Sequence, residues 1–143
     1  MLKEITISRL VKSEDLNHHG TLFAGRMAEW LVEASFIAAA RLAGRPEDVV
    51  CVQIHGMTFG KPAARGDLIE IRTNVAYLGG KSITVHAAVH ANEDTAPAVS
   101  GMATFVTVDR GGKPYAHGLT LPDEYVERHR AIHEQARRIR SRA

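Results

Sequence analysis

The stretch Gly25-Arg26-Met27-Ala28-Glu29-Trp30-Leu31-Val32-Glu33-Ala34-Ser35-Phe36-Ile37-Ala38-Ala39-Ala40-Arg41-Leu42 decides how this chain folds. Met27, Leu31, Ala34 and Ala38 recur at helical spacing, and Trp30, Ile37 and Arg41 fall on a neighbouring line. Ala28, Val32, Ser35, Phe36 and Ala39 fill most of the rest, so few positions plainly prefer water. A helix with so broad an apolar surface is expected to be enclosed on most sides rather than laid on the outside of a domain. Gly44 and Pro46 then oppose its continuation.

Everything around this helix reads as strand or turn. Before it, residues 3–11 alternate through Ile5 and Ile7, with a slip at Leu10 and Val11, and a polar loop over residues 13–20 leads into the helix. After it, Val49–Phe59 and residues 67–77, 82–90 and 97–108 have the apolar alternation of strands, and Gly79-Gly80 supplies a hairpin turn. Residues 122–140 are expected to form a terminal helix, with Asp123, Glu124 and Glu127 early and arginines late. One strand, one very apolar helix and four strands joined mostly by short turns do not make a parallel βαβ array. The order predicts a single α+β domain over residues 1–143, an antiparallel sheet wrapped around the helix. A lone copy would leave sheet edges and helix rim uncovered, so a homodimer is the minimum expected assembly, with a tetramer or hexamer built from it.

Composition narrows the function classes. With 143 residues, 45% hydrophobic and 24% charged, the chain has the balance of an ordinary globular domain. The net charge is +2, which gives no general attraction to nucleic acid or membrane, and no specific partner of either kind is expected. Positive charge is concentrated only in Arg137, Arg138, Arg140 and Arg142, which read either as a solvated helix end or as a phosphate contact. Cys51 is the only cysteine, so no internal disulfide can form, and it reads as a buried structural thiol in a reducing compartment. The mixed charges of the first residues lack the apolar run of a signal peptide, and a cytoplasmic location is expected.

Three segments carry a resemblance. The first is Asp15-Leu16-Asn17-His18-His19-Gly20-Thr21-Leu22-Phe23-Ala24-Gly25, and the second is Phe59-Gly60-Lys61-Pro62-Ala63-Ala64-Arg65-Gly66-Asp67. The third is Gly79-Gly80-Lys81-Ser82-Ile83-Thr84-Val85. In this order and spacing they resemble the hotdog-fold acyl-CoA thioesterases: an Asp-x-Asn-x-x-Gly loop before a Gly-Gly helix start, a Phe-x-x-Pro-x-x-x-Gly-Asp crossing, and a Gly-x-Ser turn. Ala24 stands in place of the first glycine of the pair.

The resemblance implies hydrolysis of acyl-CoA to a carboxylic acid and CoA at a site shared between subunits, without a serine triad. It implies no required cofactor, CoA being the carrier portion of the substrate. A helix carboxylate is expected to face the glycine-containing loop of a partner, Asn17 to match the loop asparagine, and the helix start near Gly25 to offer backbone N–H to the thioester oxygen. Many members place the carboxylate where this chain has Val32, some carry Glu at the adjacent position, and Glu33 is the expected catalytic carboxylate, to activate water or attack directly. Glu29, four residues earlier, shares its side of the helix and is the alternative. Gly79, Gly80, Lys81 and Ser82, with Lys61 and Arg65, are the candidate contacts to the pantetheine and phosphate arm of CoA.

Other chemistries find less support. His18 and His19 keep open an acyl-thioester hydratase or dehydratase, and a noncatalytic acyl-CoA sensor is a further reading. His86 and His90 point the same way on a predicted strand, but no third ligand accompanies them and no His-Glu-x-x-His helix is present, so no metal site is expected.

Overall fold

In a computed structural model, which describes Leu2 and residues 4–141 with side chains up to Ile139, the chain forms one five-stranded antiparallel sheet and three α-helices. In chain order these are β1 (Ile5–Leu10), α1 (Ala24–Ala43), β2 (Val49–Phe59), β3 (Leu68–Leu78), β4 (Ser82–Ala91), β5 (Val99–Thr107), α2 (Asp123–Arg128) and α3 (Arg130–Ser141). The spatial order is β1-β3-β4-β5-β2, so β1 and β2 are the two edges. The helix and antiparallel sheet expected from the sequence are both present.

The strands alternate because one face of the sheet meets α1. Ile69, Ile71, Ala87, Val89 and Val99 pack with Leu31 and Ala34 of the helix. Toward the other end of the sheet, Val75, Ile83, Val85, Ala103 and Phe105 pack with Ala38 and Ala39. The run of alanines lets helix and sheet approach closely in this second half. Gly44, at φ 80°, ends α1 in the left-handed conformation and donates its N–H to the Ala40 carbonyl. A stripe through Gly25, Glu29, Glu33 and Arg41 remains exposed, so the helix is covered on most of its circumference but not all.

The opposite face of the sheet is partly covered by α3, whose Ile132, Ala136 and Ile139 meet Ala76, Tyr77 and Met102. The terminal helix is two helices parted at His129, where the backbone turns to φ −115° and ψ 32°. Tyr125, buried in α2, donates its hydroxyl to the Val75 carbonyl at 2.8 Å and so ties this end to β3. Among the terminal arginines, Arg137 pairs with Glu134 on α3. The Arg140 side chain and Arg142 lie outside the described residues.

Two local readings change. Leu10 is not part of a slip: β1 keeps strict alternation, with Arg9 at the third half-buried position and Leu10 49% exposed. Cys51 is exposed, not buried, because β2 is an edge strand open on much of both faces. Val50, Val52, Ile54 and Phe59 of β2 are 40–54% exposed, and among the described residues β5 is its one strand neighbour, which leaves the other edge of β2 open. Such an edge is a ready template for another strand.

Candidate functional site

The N-terminus of α1 opens onto a cleft of about 280 Å³. Leu22, Met27, Phe59, Val89 and Val99 make its walls apolar, while Asn17 and Lys61 are polar groups on its lining. The first two motifs build it together. Leu22 donates its N–H to the Ala63 carbonyl at 2.8 Å, and Gly60 and Lys61 donate theirs to the Ala98 carbonyl, so the 59–67 crossing wraps the helix start. Asp67 braces that crossing by accepting from the Ala64 N–H and from Asn92.

Asp15 holds the loop against the helix. It is 2% exposed, and its carboxylate accepts from the Lys12 N–H at 2.9 Å and from Arg26 at 3.0 Å, while its carbonyl accepts from Phe23 N–H. A buried carboxylate needs this full set of donors. Asn17 folds the turn above it: its Oδ1 accepts from the N–H groups of His19 and Thr21, and its Nδ2 donates to the Thr21 hydroxyl at 3.1 Å. Gly20, at φ 81°, takes the left-handed place in that turn. One N–H of the Asn17 amide is left over for a ligand.

The helix start has no side-chain cap. Phe23 is the N-cap, Arg26 and Met27 donate back to its carbonyl, and the N–H groups of Ala24 and Gly25 have no acceptor among the described residues. Ala24 lines the cleft, so these free donors and the positive pole of α1 adjoin it. An anion or a developing oxyanion is the group that such a place stabilises. A side chain at Gly25 would meet the exposed Phe23 ring at 2.6 Å, so that ring would have to turn aside.

Glu33 lies elsewhere on the helix. Eight residues beyond Gly25 place it about 12 Å along the axis, on the exposed stripe and outside the cleft lining. Its Oε1 accepts a hydrogen bond from Arg9 at 2.6 Å, and the Arg9 guanidinium lies 5.3 Å from the centre of the buried Trp30 ring. Glu29 is exposed and enters no ion pair among the described residues. Val32, beside Glu33, is half-buried. Arg9 was not singled out by sequence reasoning. Its signal was there: a cation occupying an inward place in an otherwise apolar alternation.

The remaining candidates are dispersed. Lys61 is at the cleft and pairs loosely with Asp94 at 3.7 Å, and Arg65 is exposed on the same crossing. The Gly79–Ser82 turn is at the far end of β3, nine strand residues from Ile69 of the cleft and so about 30 Å away. Gly79 spends its N–H on the Ser82 carbonyl, Gly80 accepts from His117, and Ser82 is buried at 3% exposure. Any contact from this turn to a ligand in a cleft must come from another copy of the chain. His18 and His19 are exposed, with ring centres 3.9 Å apart and tilted by 43°, and do not line the cleft. No group of three or more His, Cys, Asp or Glu side chains among the described residues is placed to hold a metal. No helix among them is long and apolar enough to cross a membrane.

Comparison with known proteins agrees with this architecture. The thioesterase superfamily model matches residues 19–98, more than half of the chain and the span that contains α1 and most of the cleft. The acyl-CoA thioester hydrolase YciA of Salmonella typhimurium is 30% identical over 123 residues, covering 78% of this chain and 87% of that protein. An apo-hexameric acyl-CoA thioesterase superposes with a TM-score of 0.83 at 26% identity, over 97% of this chain and 89% of the other. An acyl-CoA hydrolase of Staphylococcus aureus, solved with butyryl coenzyme A, coenzyme A and coenzyme A disulfide, gives a TM-score of 0.74 at 28% identity, over 97% and 88%. That enzyme has also been solved with an asparagine, an aspartate or a threonine replaced by alanine. With its helix-in-sheet topology and the matched span, the chain belongs to the hotdog-fold acyl-CoA thioesterase family, of the acyl-CoA hydrolase type.

Proposed function

We propose that the chain hydrolyses acyl-CoA to a free carboxylic acid and CoA, and does so as a homodimer at the least. The observation that carries this reading is the apolar cleft at an uncapped helix terminus: Asn17 and Ala24 both line it, and the N–H groups of Ala24 and Gly25 have no acceptor among the described residues. The acyl chain fits the apolar walls, and the thioester oxygen meets the N–H of Gly25 as negative charge develops on it. The spare N–H of Asn17 orients the thioester or the attacking water. Glu33 takes a proton from water as it adds to the carbonyl carbon; collapse of the tetrahedral intermediate breaks the C–S bond and returns the proton to the CoA thiolate. Direct attack by the Glu33 carboxylate, through an anhydride that water then cleaves, is the second route, and trapping an acyl-enzyme with a slow substrate separates them.

The separation of about 12 Å between Glu33 and Gly25 along one helix is the reason to invoke a second copy. A carboxylate so placed serves the cleft of a neighbour, not its own. The long exposed edge of β2 offers the surface for that pairing. Lys61, on the cleft lining, and Arg65, exposed on the same crossing, are assigned to the phosphates of CoA, and the Gly79-Gly80-Lys81-Ser82 turn to the same arm only from another copy. His18 and His19 lie outside the cleft, as Glu33 does, so the assay and not their position separates the hydratase from the hydrolase.

The deciding experiment incubates the purified protein with short, medium, long and aromatic acyl-CoAs and follows free thiol. Release of thiol from at least one class is expected. Binding without release across the series would favour the sensor, and loss of the conjugated double bond of an enoyl-CoA without thiol release would favour the hydratase.

A further inference from the structure

Arg9 breaks the pattern of its own strand. Ile5 and Ile7 occupy the half-buried places of β1, and the next such place holds a cation, while the apolar Leu10 is turned out to solvent. A charge on the side of a strand that meets a helix must find an anion. The Arg9 guanidinium lies over the Trp30 ring at 5.3 Å and donates from Nη2 to Glu33 Oε1 at 2.6 Å. Trp30 and Glu33 are three apart on α1 and so share one line of the helix. The ring is 6% exposed and fixed in the core, so the guanidinium that lies over it reaches Glu33 from a fixed support.

This is a poor device for stability. The two side chains are 38% and 54% exposed, and ion pairs so open to water contribute little to folding. It is a good device for orientation, because a planar fork held on an aromatic face directs a carboxylate as a flexible ammonium does not. Glu29, one turn earlier and equally open to solvent, has no such partner among the described residues.

We infer that Arg9 is the positioning residue of the thioester-cleaving carboxylate: it engages Oε1 of Glu33 and leaves Oε2 outside that hydrogen bond, to serve water or thioester in the neighbouring cleft. The inference rests on the assignment of Glu33 made above. It also explains how one of two glutamates on the same exposed stripe is selected.

The test compares wild type, Arg9→Met, Arg9→Lys, Glu33→Gln and the Arg9→Met/Glu33→Gln pair in steady-state hydrolysis of an acyl-CoA that turns over, with native mass measured for each. Arg9→Met keeps the stem over Trp30 and is expected to lower kcat by about 10²-fold, the scale of a misplaced catalytic group, with KM nearly unchanged. Arg9→Lys should recover part of that loss, and Arg9→Met should add nothing in the Glu33→Gln background. Unchanged kcat in correctly assembled Arg9→Met, beside an inactive Glu33→Gln, overturns the role of Arg9 and leaves Glu33 standing. An equal loss in both backgrounds also overturns it, since Arg9 would then act other than through Glu33. Full activity of Glu33→Gln removes the underlying assignment instead. Should Arg9→Met fail to assemble, Arg9→Lys decides: intermediate kcat supports positioning by the planar fork, and wild-type kcat overturns it.

Discussion

Glu33 and Glu29 stand one turn apart on the open stripe of α1, and among the described residues only Glu33 is held, by Arg9. Replacing Glu33 by glutamine keeps volume and hydrogen-bonding reach while removing the oxygen that accepts a proton. Turnover should fall by roughly 10²- to 10⁴-fold, with native mass and acyl-CoA binding preserved. Glu29→Gln should be far milder in the same single-turnover assay; a comparable loss would mean that the acid was assigned one turn too late. Asn17 has two duties, since its side chain closes the 17–21 turn that carries the loop to the helix start. Asn17→Ala is therefore expected to cost both activity and local order, whereas Asn17→Asp keeps the accepting oxygen of the turn and loses the donating amide. Activity lost in Asn17→Asp with wild-type thermal stability would separate the two duties.

At the scale of elements, β2 and α3 stand out. The free edge of β2 carries Val52 and Ile54 half exposed, flanked by bulges between Cys51 and Gln53 and between Ile54 and Gly56. If that edge pairs with a second copy, Ile54→Lys places charge in the seam. Light scattering should then show a smaller species, and thiol release should fall with it; a fully active, fully assembled variant would move the interface elsewhere. Beneath α3, His86 lines a polar cavity of about 280 Å³ with His55 and Gln135, on the face of the sheet away from α1. Burial there holds its imidazole below the ordinary 6.5. Below that pH the unfolded chain takes up a proton that the folded chain refuses, so stability is full above about 6.5 and declines as pH falls through the folded value. His86→Gln should flatten this decline relative to wild type in denaturant midpoints measured across pH 5–8.

For the whole molecule, two facts point beyond one chain: the cleft and Glu33 are separated along one helix, and the sheet ends in a long apolar edge. Relatives described as hexameric share the fold at high coverage. Native mass of at least a dimer, unchanged on dilution to assay concentration, is the expected result; an active monomer would remove the shared-site reading altogether. Core packing should behave as one unit across α1 and the sheet. Leu31 is fully buried among β-strand side chains, and Leu31→Ala should destabilise the protein by about 2–5 kcal/mol in equilibrium denaturation.

The sequence by itself determined the strand–helix–strand order, the near-complete span of α1 and the antiparallel sheet, because these depend on local periodicity and on turn residues such as Gly44 and Gly79-Gly80. It also pointed to Asn17 and Gly25 through a motif whose members are close in the chain. What it did not yield were the consequences of position in the sheet. Cys51 and its neighbours read as core because their composition is apolar, and only the strand order made β2 an edge. Leu10 and Val11 read as a slip and Arg9 was passed over because its partners are 21 and 24 residues away on another element, and no local pattern links a β1 cation to Trp30 and Glu33. The break at His129 followed in the same way from docking, since α2 is tied to β3 by Tyr125 while α3 follows Ala76 and Met102. Tertiary structure decided these points because burial and charge pairing depend on which distant residues fold against a side chain, and periodicity describes only the side chain's own element.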